Sequence, residues 1–211
     1  MEAGETEMKR VLPVLLVILA FASALPAAGQ FGVTHASRLD GEGKTAADFT
    51  LLTQDAKPFT LSKDGAGRPL LVTFIFTSCP GACPLVVDEC IDAARQAGKG
   101  RLEKDRPLVL AVSFDPDVDT PAKLKQHMKE SHLSPRDVVF LTGSKEAVDK
   151  VVHDWGVNVG RDKKGDIFHG FQTAVLDRSG RIVAKYFGDG IEKKDLLADV
   201  KVASAPVPAA P

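Results

Sequence analysis

Hydrophobic positions form short runs and helical stripes that alternate along the chain between residues 49 and 202. Runs rich in β-branched and aromatic residues predict buried strands, and apolar residues three and four apart predict helices. The predicted strands are 49–52, 59–61, 72–77, 108–114, 138–141, 171–176 and 181–187. The predicted helices are 83–97, 121–131, 145–155 and 191–202. This alternation predicts an α/β domain with a mixed sheet flanked by helices and an N-terminal hairpin.

The two ends of the chain have a different composition. Lys9 and Arg10 precede an apolar run at 11–25 and then small residues, so 1–30 is predicted to be a signal peptide or a membrane anchor. Either interpretation predicts export, with the bacterial periplasm as the location and membrane attachment through 11–28 in the case of an anchor. We expect a linker at 31–47, the folded domain at 48–202 and a disordered tail at 203–211.

The balance of charged residues argues against nucleic acid as a partner. The 211 residues include 27 Lys and Arg against 28 Asp and Glu, so there is no basic excess of the kind that nucleic-acid binding requires. The chain has three cysteines, too few for a disulfide scaffold, and they cluster within twelve positions. This clustering predicts a local site.

Two of the cysteines follow the predicted buried strand at 72–77, which consists of β-branched and aromatic residues. Cys79 lies in the turn after it, and Cys83 lies where the helical stripe begins. The positive end of a helix dipole lowers the pKa of a nearby thiol, and the Cys-x-x-x-Cys spacing places both sulfurs on one side. Such a pair can hold a soft metal ion or close into a disulfide. By analogy, a cysteine pair after the first buried strand points to a thioredoxin-like arrangement.

Four blocks of sequence resemble the SCO/SenC proteins, and they occur in that family's order. These blocks read TFIFTSCPGACPLVV, VSFDPDVDTPAKLKQH, FLTGSKEAVDKVV and DIFHGFQTAVLDRSGRIVAKYFGDG. The resemblance runs from about residue 49 to 197. One departure is Gly81-Ala82, where many members of the family have Asp-Val.

The resemblance implies a thioredoxin-like fold that binds one copper ion. By position, the family's copper ligands fall on Cys79, Cys83 and His169. It also implies a metallochaperone that serves assembly of the binuclear copper site of cytochrome c oxidase. The implied partner is the oxidase subunit that carries this copper, or another copper chaperone.

The donor chemistry agrees with copper as the ion. Two thiolates and one imidazole suit Cu(I) and tolerate Cu(II), whereas zinc usually takes a fourth donor. The alternative is an exported thiol-disulfide reductase that acts through Cys79 and Cys83 on a partner's copper-ligand cysteines. Such enzymes place a cis-proline before the closing strands, and this chain has no proline between Pro135 and Pro206. We therefore favour metal binding over an enzymatic role.

A weaker third hypothesis is a thiol peroxidase. Peroxidases related to peroxiredoxins have Thr three residues before the reactive Cys, whereas Thr77 precedes Cys79 by two. Cys90 lies about 10 Å further along the helix than Cys83 and is predicted to pack in the core.

The remaining His and Asp residues are not assigned as ligands. The histidines in question are His35, His127, His132 and His153. Asp115, Asp117 and Asp119 resemble the start of a calcium loop, but Thr120 and Gln126 stand where Gly and Glu are needed. We expect these aspartates to serve in turns and helix caps on a loop near the site.

Overall fold

The structure is a computed structural model that describes residues 36–79, 81–161, 163 and 167–206. The predictions for 1–30 and for 207–211 lie outside these residues. Within the described residues, no helix combines the length and apolar character needed to cross a membrane.

The described residues form one large mixed sheet, a small ribbon and five α-helices. The sheet consists of β1 (Ser37–Asp40), β2 (Thr50–Thr53), β3 (Pro58–Thr60), β4 (Leu70–Ile75), β5 (Leu108–Ser113), β6 (Val138–Thr142), β9 (Gln172–Leu176) and β10 (Ile182–Phe187). The ribbon consists of β7 (Val159–Arg161) and β8 (Ile167–His169). The helices are α1 (Leu61–Asp64), α2 (Ala82–Ala97), α3 (Pro121–Glu130), α4 (Lys145–Trp155) and α5 (Lys193–Ala203).

The sheet has the order β1-β10-β9-β4-β5-β6-β2-β3. β4, β5 and β6 are parallel, and β9 runs antiparallel to β4 on its other side. β2 and β3 form the predicted hairpin, which pairs with β6 through β2. The carboxyl ends of β4 and β5 therefore lie side by side at one edge of the sheet, where the chain enters the cysteine turn.

Helices cover both faces of the sheet. The side chains of each strand alternate between the two faces, and both faces carry apolar side chains that the helices shield from water. Leu71 and Ile75 of β4 belong to the core cluster that includes α2, α3 and α5. Val72 and Phe74 belong to the cluster on the opposite face, where Trp155 of α4 packs edge-on against Phe74 with ring centroids 5.8 Å apart. All six residues of β4 are buried, whereas Phe76 and Thr77, the last two residues of the predicted strand, follow β4 and are partly exposed.

Side-chain caps begin two of the helices, and a glycine ends one of them. The Thr120 hydroxyl accepts the Lys123 N–H at 3.3 Å at the start of α3, and the Ser144 hydroxyl accepts the Ala147 N–H at 3.2 Å at the start of α4. Gly156 ends α4 with a φ of 70°, a left-handed conformation that glycine adopts without strain.

The region predicted as a linker contains an ordered edge strand. Residues 31–47 were predicted to be a linker, but β1 lies within this range and pairs antiparallel with β10. Its four residues are all exposed, so they carry no hydrophobic signal. Side-chain contacts hold it instead: Arg38 makes two hydrogen bonds of 2.7 and 2.8 Å to the Asp199 carboxylate on α5. The Tyr186 hydroxyl donates to the same carboxylate at 2.5 Å.

Two further features differ from the prediction. The β7–β8 ribbon was not expected, because its strands have only three residues each. The tail was predicted to begin at residue 203, but Ala203 still belongs to α5 and Ser204 is buried, where its hydroxyl donates to the Val200 carbonyl at 2.6 Å.

We expect Asp199→Asn to lower the free energy of unfolding by about 2 kcal/mol, because it weakens charge-assisted bonds to Arg38 and to a buried tyrosine hydroxyl. Urea denaturation followed by circular dichroism would measure the change. Asp92→Asn is the matched control, since Asp92 is exposed and bonds only to Gln96 of its own helix among the described residues. The control should change stability by less than about 0.5 kcal/mol. Equal losses in the two variants would contradict the assigned role of Asp199.

Candidate metal centre

The first two site residues come from the turn and helix that follow β4. The Cys79 N–H donates to the Phe76 carbonyl at 3.2 Å, which closes a tight turn at the end of the strand. Cys79 is partly exposed in this turn, and Cys83 is 3% exposed in the first turn of α2. Both cysteines are free thiols. The predicted strand, turn and helix around the pair are confirmed.

The third site residue reaches the cysteines from the β7–β8 ribbon. His169 is the last residue of β8 and pairs with Val159 of β7. The Gly170 N–H donates to the Asn158 carbonyl at 2.8 Å, which fixes the end of the ribbon. The His169 Nε2 lies 4.0 Å from the Cys83 Sγ. One ligand atom from each of Cys79, Cys83 and His169 lies within 4.8 Å of the others.

Three phenylalanines surround the imidazole of His169. The ring centroids of Phe76, Phe114 and Phe171 lie 5.4, 4.8 and 4.5 Å from that of the imidazole. These contacts limit the rotation of the ring and remove water from it. Burial lowers the pKa of His169, so the imidazole is neutral at pH 7 and one ring nitrogen keeps a free lone pair.

Burial has the opposite effect on the thiol of Cys83. The sequence predicted that the helix N-terminus would lower the thiol pKa. In the structure, burial raises the pKa of Cys83, and the neighbouring thiol of Cys79 raises it further. The prediction was wrong for Cys83 because its side chain is almost wholly removed from water, and the cost of desolvating a thiolate exceeds the dipole's stabilisation. An incoming metal cation supplies the charge that a thiolate needs at this position.

The other candidate residues do not join this group. Cys90 is fully buried in the core, as predicted, and burial raises its pKa to about 12. His127 packs edge-on against Phe140, and the exposed His153 pairs with Asp154 at 3.2 Å. His35 lies outside the described residues. Among the described residues, Cys79, Cys83 and His169 form the only set of three or more His, Cys, Asp or Glu side chains close enough to share an ion.

The aspartates of the loop after β5 have no metal-binding geometry among the described residues, but one of them contacts the cysteine turn. Asp119 accepts hydrogen bonds from Thr77 and from Ser113. Sequence reasoning assigned Asp119 to a turn or cap and did not identify this contact. It also did not identify the phenylalanines around His169. The available signal was positional: Phe76 and Phe114 each directly follow one of two adjacent parallel strands.

Comparison with known proteins agrees with this geometry. A family model described as SCO1/SenC matches residues 37–204. A SCO2-like protein of Rickettsia felis is 26% identical over 175 residues, which cover 80% of each chain.

Solved structures of Sco proteins share the fold. Bradyrhizobium japonicum ScoI, solved with copper bound, aligns with a TM-score of 0.62 and 29% identity over 76% of this chain and 99% of its own. BsSco, described as a member of the Sco family of cytochrome c oxidase assembly proteins with a disulfide switch, aligns with a TM-score of 0.62 and 25% identity over 80% and 96%. The predicted thioredoxin-like α/β fold is confirmed. The chain belongs to the SCO1/SenC family.

Proposed function

We propose that this protein is a copper-binding metallochaperone that holds one copper ion through Cys79, Cys83 and His169. The observation that carries the proposal is the convergence of their ligand atoms within 4.8 Å. These residues come from a turn, a helix and a ribbon that are separated by up to ninety positions in the chain. Copper-bound ScoI of Bradyrhizobium japonicum, which shares the fold, supports the choice of ion.

The spacing of the donors suits a low-coordinate soft ion. Three donors bonded in a plane to one ion at about 2.0–2.3 Å lie about 3.5–4.0 Å apart. The 4.0 Å between the Cys83 Sγ and the His169 Nε2 is close to this spacing. Two thiolates and a neutral imidazole favour Cu(I), and a three-coordinate ion leaves one side open to an incoming ligand. This open side allows copper to pass to another protein.

The destination of the copper is inferred from the family. We propose that the protein serves assembly of the binuclear copper site of cytochrome c oxidase, and that it exchanges copper with the subunit that carries this site or with another copper chaperone. The description of BsSco as an oxidase assembly protein supports this inference. The sequence pattern of residues 1–30 supports export to the bacterial periplasm, with 1–30 as a signal peptide or as an anchor that attaches to the membrane through 11–28.

A second candidate function is thiol-disulfide exchange on a partner's copper-ligand cysteines. The observation that favours it is the pair of free thiols of Cys79 and Cys83, whose sulfur atoms lie within 4.8 Å of each other. The disulfide switch described for BsSco is consistent with such chemistry. The two functions share both cysteines and differ in their dependence on His169.

We expect His169→Ala to weaken Cu(I) binding by about two orders of magnitude or more, because loss of even an outer-shell group typically costs 10–100-fold. The disulfide between Cys79 and Cys83 should still form on oxidation. Competition with a Cu(I) chelator under anaerobic conditions would measure the affinity, and thiol titration the disulfide.

His153→Ala is the matched control for this experiment, since the side chain of His153 is 89% exposed. Its copper affinity should equal that of the wild type. Undiminished Cu(I) affinity in His169→Ala would exclude His169 as a ligand and would favour the thiol-exchange function.

Copper affinity should also depend on pH. Cys83 must lose its proton to bind copper, and burial raises its pKa, so the thiol is protonated in the metal-free protein at neutral pH. The pKa of His169 is lowered, so protons compete with copper for its imidazole less than they would for a free imidazole. Each proton released makes the affinity rise about tenfold per pH unit. We therefore expect at least a tenfold gain per unit between about pH 6.5 and 8.

The same chelator competition, corrected for the protonation of the chelator itself, would measure this slope. An affinity that stays within twofold across this range would show that Cys83 enters the complex without losing a proton, and would contradict thiolate ligation.

A further inference from the structure

The loop after β5 contains a fully buried carboxylate that bonds to residues on two sides of the metal centre. Asp119 has no exposed surface. Its Oδ2 accepts the Thr77 backbone N–H at 2.9 Å and the Ser113 hydroxyl at 2.6 Å, and its Oδ1 accepts the Thr77 hydroxyl in a short contact. These three donors are uncharged. Both oxygens of the carboxylate are thus bonded to segments that lie beside the metal centre.

The first partner, Thr77, belongs to the turn that presents Cys79. This turn runs from Phe76 to Cys79 and is closed by the bond from the Cys79 N–H to the Phe76 carbonyl. Asp119 binds both the backbone N–H and the hydroxyl of the second residue in the turn. Two bonds to one residue fix its backbone orientation, and hence the direction in which Cys79 points two residues later.

The second partner, Ser113, belongs to the segment that supports His169. Ser113 ends β5 and is followed by Phe114, whose ring centroid lies 4.8 Å from that of His169 and 5.3 Å from that of Phe76. By holding Ser113, the carboxylate also fixes the backbone from which the Phe114 ring projects. One side chain thus connects the cysteine turn with the aromatic support of the histidine.

The carboxylate is itself held in place. The Asp119 N–H donates to the Asp115 carbonyl at 2.8 Å, and the next residue, Thr120, caps α3. Asp119 is therefore anchored between a tight turn and the start of a helix. Its hydrogen bonds hold Thr77 and Ser113 in a fixed position relative to that anchor.

We propose that Asp119 is a positioning residue, which acts through Thr77 and Ser113 to hold Cys79 and His169 in the metal-binding arrangement before a metal ion arrives. This role rests on the proposed copper-binding function. Its physical basis is preorganisation: charge-assisted hydrogen bonds are short and directional, so they fix a turn more tightly than neutral ones do. Without them the turn would sample orientations in which the two donors are too far apart to share an ion.

The test compares Asp119→Asn and Thr77→Val with Asp199→Asn. Asp199 is the matched control, because it too is a buried carboxylate that joins separate segments, and its partners Arg38 and Tyr186 are not part of the metal centre. Three quantities are measured on each purified, reduced protein: the Cu(I) affinity by chelator competition, the amide exchange rates of residues 77–79 without metal, and the urea midpoint of unfolding.

We expect Asp119→Asn to lower Cu(I) affinity 10–100-fold and to speed exchange of the Thr77 amide at least tenfold. Thr77→Val removes one of the three bonds and keeps the other two, so it should lower the affinity by a smaller factor than Asp119→Asn does. Asp199→Asn should lower the urea midpoint while leaving copper affinity and Thr77 exchange within twofold of the wild type.

Several results would overturn this proposal. One is a folded Asp119→Asn protein that keeps its copper affinity within twofold while His169→Ala loses it, a result that leaves the proposed function intact. Another is an equal loss of affinity in Asp199→Asn, which would mean that general destabilisation is the cause. If Asp119→Asn does not fold, copper affinity and Thr77 amide exchange are compared in Thr77→Val and Ser113→Ala instead. Copper affinities within twofold of the wild type in both variants would then overturn the proposal. If the wild type fails to bind Cu(I), the proposed function is contradicted, and unchanged Thr77 exchange in the variants would then exclude positioning as well.

Discussion

The parallel pairing of β4 with β5 is the constraint on which the metal centre depends. Its register places Ile75 opposite Ser113, so the two strands end at the same level and at the same edge of the sheet. The cysteine turn and the loop that carries Phe114 and Asp119 therefore begin as neighbours. A shift of this register by one residue would turn the side chains of one strand to the opposite face and separate the two loops.

The site has two halves, which come from different parts of the fold. One half is the cysteine turn and the start of α2, which follow a strand whose six residues are all buried. The other half is the short β7–β8 ribbon, which lies outside the main sheet and brings His169 to the cysteines. Burial acts on both halves, since it keeps the imidazole neutral and the Cys83 thiol protonated. The metal-free centre is thus close to electrical neutrality at Cys83 and His169, and the negative charge of the thiolate forms there only when a cation is present to compensate it.

Much of the fold could be predicted from the sequence because its core elements carry strong periodic signals. The strands at the centre of the sheet and the long helices each bury an apolar run or stripe, and helix ends such as Thr120 and Gly156 carry cap residues. β1 could not be predicted, because all four of its residues are exposed and its place is fixed by the distant pair of Arg38 and Asp199. The β7–β8 ribbon was missed because three-residue strands are too short to show a period.

The three candidate ligands came from the family resemblance together with donor chemistry, and the structure brings their atoms together. The supporting shell did not follow from the sequence, because contacts such as that of Asp119 with Thr77 join residues about forty positions apart. The effect of burial on Cys83 was missed for a similar reason. A local argument about a helix N-terminus contains no information on how much of the side chain remains in contact with water.

The two outermost strands of the sheet limit how another protein can approach. β3 has only three residues and begins with Pro58, which has no backbone N–H to donate. β1, at the opposite border, has four residues and carries the charged side chains of Arg38 and Asp40. Short, charged or proline-bearing borders discourage the addition of a foreign strand, a frequent route to both complex formation and aggregation. These borders therefore disfavour docking by strand addition, whereas the loops at the carboxyl ends of β4 and β5 leave Cys79 partly exposed.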